Sequence, residues 1–530
     1  MNAHKLFLCW WTVYNVLYRL FSHFSKKFFS GFLQPSDMAP TYLPFEEPGA
    51  ITLLIYSSFL LFLNGLNYIL NKFLFCGLVG QILLGVCYGV PGTNWLSKHS
   101  QESIMELGYI GLLLMVYEGG LSTSFNVLKA NIHIALLVAF TGVSLPIALS
   151  FSIIGYSNAT PVAAFAAGAA LSSTSLGASF TVLLTSGFKQ SRVGIILTSA
   201  AVLDDIFGLV MIKIISNLGD GSFNAISVIR PVFVSIALIV IVGVVAKFFM
   251  LPFALWFRKQ KRTFPRILRI LLKTKKYYFV LHTIALIGLI TGATYAGASN
   301  LTAAYVFGAA LSWLDETIIS VEFESEAKEE KFNSNQGSMT NNLESPITEF
   351  SNDINGKEKF ENYDQELIFT GSEVFDEFYS QVMNKILQPF FFASIGFSIP
   401  ITQMFIGRLI WKGFIYALVM IVSKFACGLW LIRFKDEKNK FSIQNLYPTS
   451  MLGLAMVARG EIGFLISSLA EAKGVFSPNS EPKEGSSDIY IIVTWAIVLC
   501  TFLGPVCVGF LVRRIKKLVS LDKHPLGIWG

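Results

Sequence analysis

Asp204 and Asp205 stand side by side in the apolar stretch 195–212, which is long enough to cross a bilayer. One acid at the centre of a membrane helix costs about 2.5 to 3.5 kcal/mol on insertion scales, so an adjacent pair points to the handling of cations or protons. Lys424 lies in a second apolar run, 415–430. Roughly 15 Å of helix separates it from the basic loop at Arg433, too far for easy snorkelling, so an internal acidic partner is more economical. Arg459 and Glu461 bring two more charges to membrane depth in Gly453-Leu-Ala-Met-Val-Ala-Arg-Gly-Glu-Ile-Gly463. Ser173, Thr174 and Ser175 bring hydroxyls into the span centre in Gly168-Ala-Ala-Leu-Ser-Ser-Thr-Ser-Leu-Gly-Ala-Ser179. Such groups can bind a proton or a hard cation on oxygen. They need no covalent step and no cofactor, so an enzyme is not expected.

The elements that position these residues must be membrane helices. The chain has 530 residues, 53% of them hydrophobic and 14% charged, and its mean hydropathy is +0.58. That is too apolar for soluble cores and implies an all-α polytopic membrane protein, because backbone groups in lipid must be satisfied within each helix. About thirteen transmembrane helices are expected, near 51–71, 74–90, 103–120, 132–156, 161–187, 193–216, 230–254, 278–296, 299–314, 379–401, 405–432, 447–472 and 489–513. The spans 161–187 and 447–472 read as discontinuous. Small residues alone would explain either as a packing face. Paired Gly-interrupted spans in two halves of a chain instead indicate inverted repeats with a transport site at the breaks.

Basic residues orient the bundle. Arg258 to Lys276, Lys189 with Arg192, Arg433 to Lys440 and Arg513 to Lys517 fall on one side, which the positive-inside rule makes cytoplasmic. Residues 315–377 hold seventeen acidic and four basic side chains and read as a disordered cytoplasmic insert. The domain order is then an N-terminal segment over 1–48, membrane parts over 49–314 and 378–514 flanking that insert, and a short tail over 515–530. Residues 6–21 form a further span, an interfacial helix or an uncleaved signal-like segment. The six cysteines, Cys9, Cys76, Cys87, Cys427, Cys500 and Cys507, lie in or beside apolar runs without Cys-x-x-Cys spacing and read as small hydrophobes.

Over about 51–514, outside the insert, the chain resembles the monovalent cation:proton antiporter superfamily, in its bacterial and fungal sodium or potassium exchanger branch. The most specific pieces are Asp204-Asp205 after Ser199-Ala-Ala-Val-Leu203, the run Leu171-Ser-Ser-Thr-Ser-Leu176, and Ala458-Arg-Gly-Glu-Ile-Gly463. Met105-Glu-Leu-Gly108, Tyr117-Glu-Gly-Gly-Leu121 and Phe390-Phe-Phe-Ala-Ser-Ile-Gly396 follow the same order along the chain. The resemblance implies two crossed discontinuous helices and a homodimer. It makes Asp205 the carboxylate at which protons and cations compete, and Asp204 the neighbour that pairs with Lys424 in electrogenic members. Thr174 matches the hydroxyl at the first break. Ser175 stands where some bacterial members carry a second acid. Arg459 and Glu461 match the charged turn of the second broken helix, with a structural or pH-response role.

The expected cargo is Na⁺ or Li⁺, with K⁺ as an alternative, held by Asp205, Asp204 and Thr174 in exchange for H⁺. A regulated cation channel or sensor on the same helices is the rival from another class, but the polar residues gather near the midplane instead of lining a continuous pore. A potassium exchanger gated by a built-in nucleotide domain is disfavoured, since no Gly-x-Gly-x-x-Gly follows a strand. The lipid bilayer is an expected partner and nucleic acid is not. The plasma membrane is the first expectation, an organelle the second.

Overall fold

The computed structural model describes residues 45, 47–74, 77–174, 191–219, 225–259, 274–337, 369–432, 443–477 and 486–519, and every regular element among them is a helix. The chain divides into two compact units at Leu54. The described part of the first is the stretch from Phe45 into the first turn of a helix; the site lies wholly in the second.

Fifteen helices carry the argument: α1 (Ala50–Leu74), α2 (Gly77–Tyr88), α3 (Lys98–Leu121), α4 (Ile132–Ser150), α5 (Pro161–Ser172), α6 (Arg192–Leu218), α7 (Ala225–Val245), α8 (Lys275–Ala296), α9 (Asn300–Gly337), α10 (Gly371–Phe378), α11 (Gln388–Phe397), α12 (Gly407–Phe425), α13 (Ile443–Ala455), α14 (Glu461–Ala472) and α15 (Asp488–Val519). Local chemistry sets their starts. Ser97, Thr160 and Ser191 each accept a backbone N–H of the first turn of α3, α5 and α6, and Pro161 opens α5 where its missing N–H costs nothing.

Among the described residues, eight helices are long and apolar enough to cross a membrane. The other five expected spans, 74–90, 161–187, 299–314, 379–401 and 447–472, are ones that the structure shortens, breaks or runs on beyond the apolar stretch. α2 and α5 are apolar helices of only 12 residues. The 447–472 span is divided into α13 and α14 by non-helical residues at 456–460.

The centre is built by α4, α5, α6 and α14: α5 and α6 pack on each other, and each packs on both α4 and α14. α5 is almost all Ala and Gly along its buried side, so its neighbours come close to its backbone. At Gly463 of α14 a Cβ would lie 2.7 Å from the Ala170 carbonyl oxygen, so this crossing with α5 needs glycine. Around this centre α3 packs on α9, α11 on α2 and α3, and α12 on α15. α7 and α8 present Ile236, Val240, Ile284 and Ile287 outward, as helices facing hydrocarbon can.

The insert is more ordered at its edges than its composition suggests. α9 runs on through position 315 to Gly337, and α10 begins at Gly371, so both expected boundaries of 315–377 fall at or inside helices. Glu, Ala and Lys dominate 322–331, and these are good helix formers even when too polar to build a core. Asp315 Oδ2 accepts the Gly371 N–H at 2.7 Å, and Thr370 caps α10 by accepting the Glu373 N–H. Residues 338–368 lie outside the described residues, as do nearly all of 1–48, Ser175, Cys9, Cys76 and the tail from 520. Cys87, Cys427, Cys500 and Cys507 carry free thiols.

Candidate ion-binding site

The two chain breaks meet against the middle of α6. α5 ends at Ser172 and the chain turns extended at Ser173 (φ −67°, ψ 141°), which leaves the last carbonyls of α5 without helical partners. On the other side α13 ends at Ala455, and α14 restarts after Gly460, itself extended. α6 passes the breaks as a continuous helix and carries both acids.

Asp204 is fully buried and engaged. Its Oδ2 accepts a short hydrogen bond from the Thr174 hydroxyl and a bond from Lys424 Nζ at 3.0 Å, in an ion pair whose two side chains have no exposed surface. Lys424 Nζ also donates to Thr174 Oγ1 at 2.8 Å, which closes a triangle of ammonium, hydroxyl and carboxylate. Asp204 Oδ1 has no partner among the described residues. A buried ion pair repays its desolvation only when further hydrogen bonds satisfy it, and Thr174 supplies part of that.

Lys424 reaches the triangle from α12, close to where that helix tightens into a 3₁₀ turn over Ala426–Leu431. Gly142 of α4 makes room for it, since a Cβ there would stand 3.3 Å from Nζ. Nothing in the sequence marked Gly142 beyond a glycine inside an apolar helix.

Asp205 differs from its neighbour in the way that matters. Its side chain is only partly buried, and no hydrogen bond or ion pair engages it among the described residues. Glu461, the first residue of α14, and Asp204 lie within its electrostatic reach. The N-terminal end of α14 favours the negative charge of Glu461.

Arg459 is fully buried without a carboxylate partner among the described residues. Its Nη1 donates to the Ser173 carbonyl at 3.1 Å, while its own carbonyl accepts the Thr501 hydroxyl of α15 at 2.9 Å. The guanidinium thus ties the second break to the first. Of the residues expected from sequence, Asp204, Thr174 and Lys424 come into direct contact, Arg459 bonds to Ser173, and Glu461 lies within electrostatic reach of Asp205 without a bond to it among the described residues; Ser175 lies outside the described residues. Backbone carbonyls at the breaks are expected ligands from the sequence, and the Met456 carbonyl, 3.4 Å from Thr174 Oγ1, is one such oxygen that no sequence signal singled out.

The arrangement offers two carboxylates, a hydroxyl and carbonyl oxygens, which suit a hard monovalent cation. Among the described residues no group of three or more His, Cys, Asp or Glu is set to hold a resident metal.

A family model described as the transmembrane sodium/hydrogen exchanger matches residues 57–333 and 368–514. The chain is 28% identical over 169 residues to the Na⁺/H⁺-K⁺ antiporter GerN of Bacillus cereus, covering 31% of this chain and 42% of that protein. It is 30% identical over 143 residues to the high-affinity Na⁺/H⁺ antiporter NhaS3 of Synechocystis, covering 27% and 31%. The matched stretches therefore span less than half the length of these relatives. In fold, the chain is similar to the sodium proton antiporter MjNhaP1 of Methanocaldococcus jannaschii, with a TM-score of 0.58 at 16% identity, over 88% of this chain and 98% of that one.

Proposed function

The chain belongs to the sodium/hydrogen exchanger family, and from that premise we propose that it is a secondary transporter exchanging a monovalent cation for protons at Asp205 by alternating access. The observation that carries this reading is the contrast between the two acids: Asp204 is closed off in its pair with Lys424, while Asp205 is partly exposed and unengaged. A protonated Asp205 has little attraction for a cation. Deprotonated, beside Glu461 and Asp204, it attracts one strongly, and Asp204 Oδ1, Thr174 and the Met456 carbonyl complete an oxygen shell. One carboxylate that holds either species but seldom both, presented to each side in turn, gives exchange.

Na⁺ or Li⁺ is the first expectation for the cargo and K⁺ the alternative. If cation binding at Asp205 draws Asp204 from Lys424, the lysine can release its own proton, and the cycle then moves about two protons per cation and carries charge. The basic loops belong on the cytoplasmic side by the positive-inside rule, the plasma membrane is the host of first choice, and the working form is a homodimer. Proton flux measured in vesicles with each alkali ion, with and without a clamped voltage, tests the reading. A cation current without coupled proton movement would support the channel instead.

A further inference from the structure

Between α6, α7 and α9 lies a cavity of about 460 Å³ whose lining includes none of Asp204, Asp205, Thr174, Lys424, Arg459 and Glu461. Its volume is within the range of about 300 to 1,000 Å³ common for ligand sites. Val202 and Ile206 of α6, on either side of Asp205, form one wall; Gly243 and Lys247 come from α7 and the π-helical turn after it; Tyr305 and Trp313 come from α9.

The lining is almost all hydrocarbon or aromatic, and its two hydroxyls are already spent. Thr123 donates to the Gly119 carbonyl at 3.0 Å, and its oxygen lies 3.0 Å from the Tyr305 hydroxyl. Water would find few partners here, and an apolar cavity of this kind stays dry or takes an apolar guest. The wall is also open where a side chain is missing, since a Cβ at Gly243 would meet nothing within 4 Å. Lys247 lines the cavity yet is exposed, so its side chain stands at the cavity's edge, with Nζ 5.9 Å from the centroid of the Phe248 ring; Val240 and Val244 of α7 and Phe248 of the π-helical turn face outward. An ammonium at the edge of an apolar hole repels an entering cation but suits an anionic amphiphile.

We propose that this cavity takes one acyl chain of an anionic phospholipid from the surrounding membrane, with the headgroup phosphate paired to Lys247. The chain lies against the helix that carries Asp205, so the lipid content of the membrane acts on the movement of that helix past α7 and α9. Binding stands on the cavity alone; the effect on transport rests on the reading of Asp205 given above.

The test is photolabelling of the full chain in phosphatidylcholine vesicles doped with a diazirine-chain phosphatidylglycerol or the matching phosphatidylcholine. The label is expected on the inner walls, in peptides carrying Val202 to Ile206 and Tyr305 to Ala310, with the anionic probe preferred. Lys247→Gln should reduce that preference about fivefold, the worth of one lysine near an anionic surface. Gly243→Phe should fill the space and remove label from the inner walls while leaving it on the outward face at Ile236 and Val240. Inner walls unlabelled in the wild type, or labelled equally with both probes and equally in Lys247→Gln, would overturn the proposal; the Lys247 variant decides this even if the Gly243 variant does not fold.

Discussion

Lys424 Nζ and Asp204 Oδ2 stand 3.0 Å apart with neither side chain exposed, and the Thr174 hydroxyl bonds to both. Removing one member of such a pair leaves an uncompensated buried charge, which costs about 3 to 5 kcal/mol, whereas removing both can be nearly neutral. Lys424→Gln and Asp204→Asn should therefore each lower the melting temperature of the purified protein, and the double variant should recover most of the loss. Additive losses in the double variant would mean that the two charges do not stabilise each other.

The same pair makes a statement about charge. If Lys424 releases a proton when Asp204 leaves it, Lys424→Gln should weaken the response of transport to an imposed potential, worth about 2.3 kcal/mol per elementary charge per 100 mV in the full field. Currents from reconstituted wild type and variant check this. No current in the wild type would assign the pair to tying α6 and α12 together, with one proton exchanged per cation.

Gly142 gives a steric handle on the pair from a helix that carries none of the site's charges. A Cβ there falls 3.3 Å from Lys424 Nζ and 3.5 Å from Cys427 Sγ, so alanine presses on the ammonium and leucine displaces it. Gly142→Leu should reproduce the voltage and stability effects of losing Lys424, and Gly142→Ala should show a smaller share of both. A Gly142→Leu protein matching the wild type in both measurements would place Lys424 elsewhere in the working protein.

Much of this site was legible because charge at membrane depth is costly and therefore conspicuous. Asp204, Asp205, Lys424, Arg459 and Glu461 stood out on that ground, and the Gly and Ser clusters marked where the spans break. The separate roles expected of the two acids rested on resemblance, because adjacent residues on a helix share a composition and differ only in what packs on each. Arg459 bonding to the Ser173 carbonyl, Gly142 beside Lys424 and the cavity behind Val202 and Ile206 are tertiary facts with no local signature. The run of α9 past position 315 had no signal in the composition of the acidic insert: low hydrophobicity rules out a core, but it does not stop a Glu- and Lys-rich segment from continuing a helix that has already begun.

That extension changes how the insert should be removed. Deleting 338–368 and keeping α9 and α10 should leave basal transport in place, whereas a cut over 320–370 also removes the end of α9 and the Thr370 cap. Asp315→Ala, which takes the acceptor from the Gly371 N–H, should speed proteolysis at the start of α10. Loss of all transport in a correctly inserted 338–368 deletion would show that the insert is part of the working machinery.

The central claim is that Asp205 alternately holds the proton and the cation, and Asp205→Asn tests it most directly, because an amide can carry neither the competing proton nor the charge. The measurement is cation-driven proton flux in vesicles containing equal amounts of folded wild type and variant. The account predicts that flux falls to the level of empty vesicles for Na⁺, Li⁺ and K⁺ alike, with insertion and melting temperature close to wild type since Asp205 has no described bond to lose. Cation-dependent proton movement retained by a well-inserted Asp205→Asn protein would contradict it.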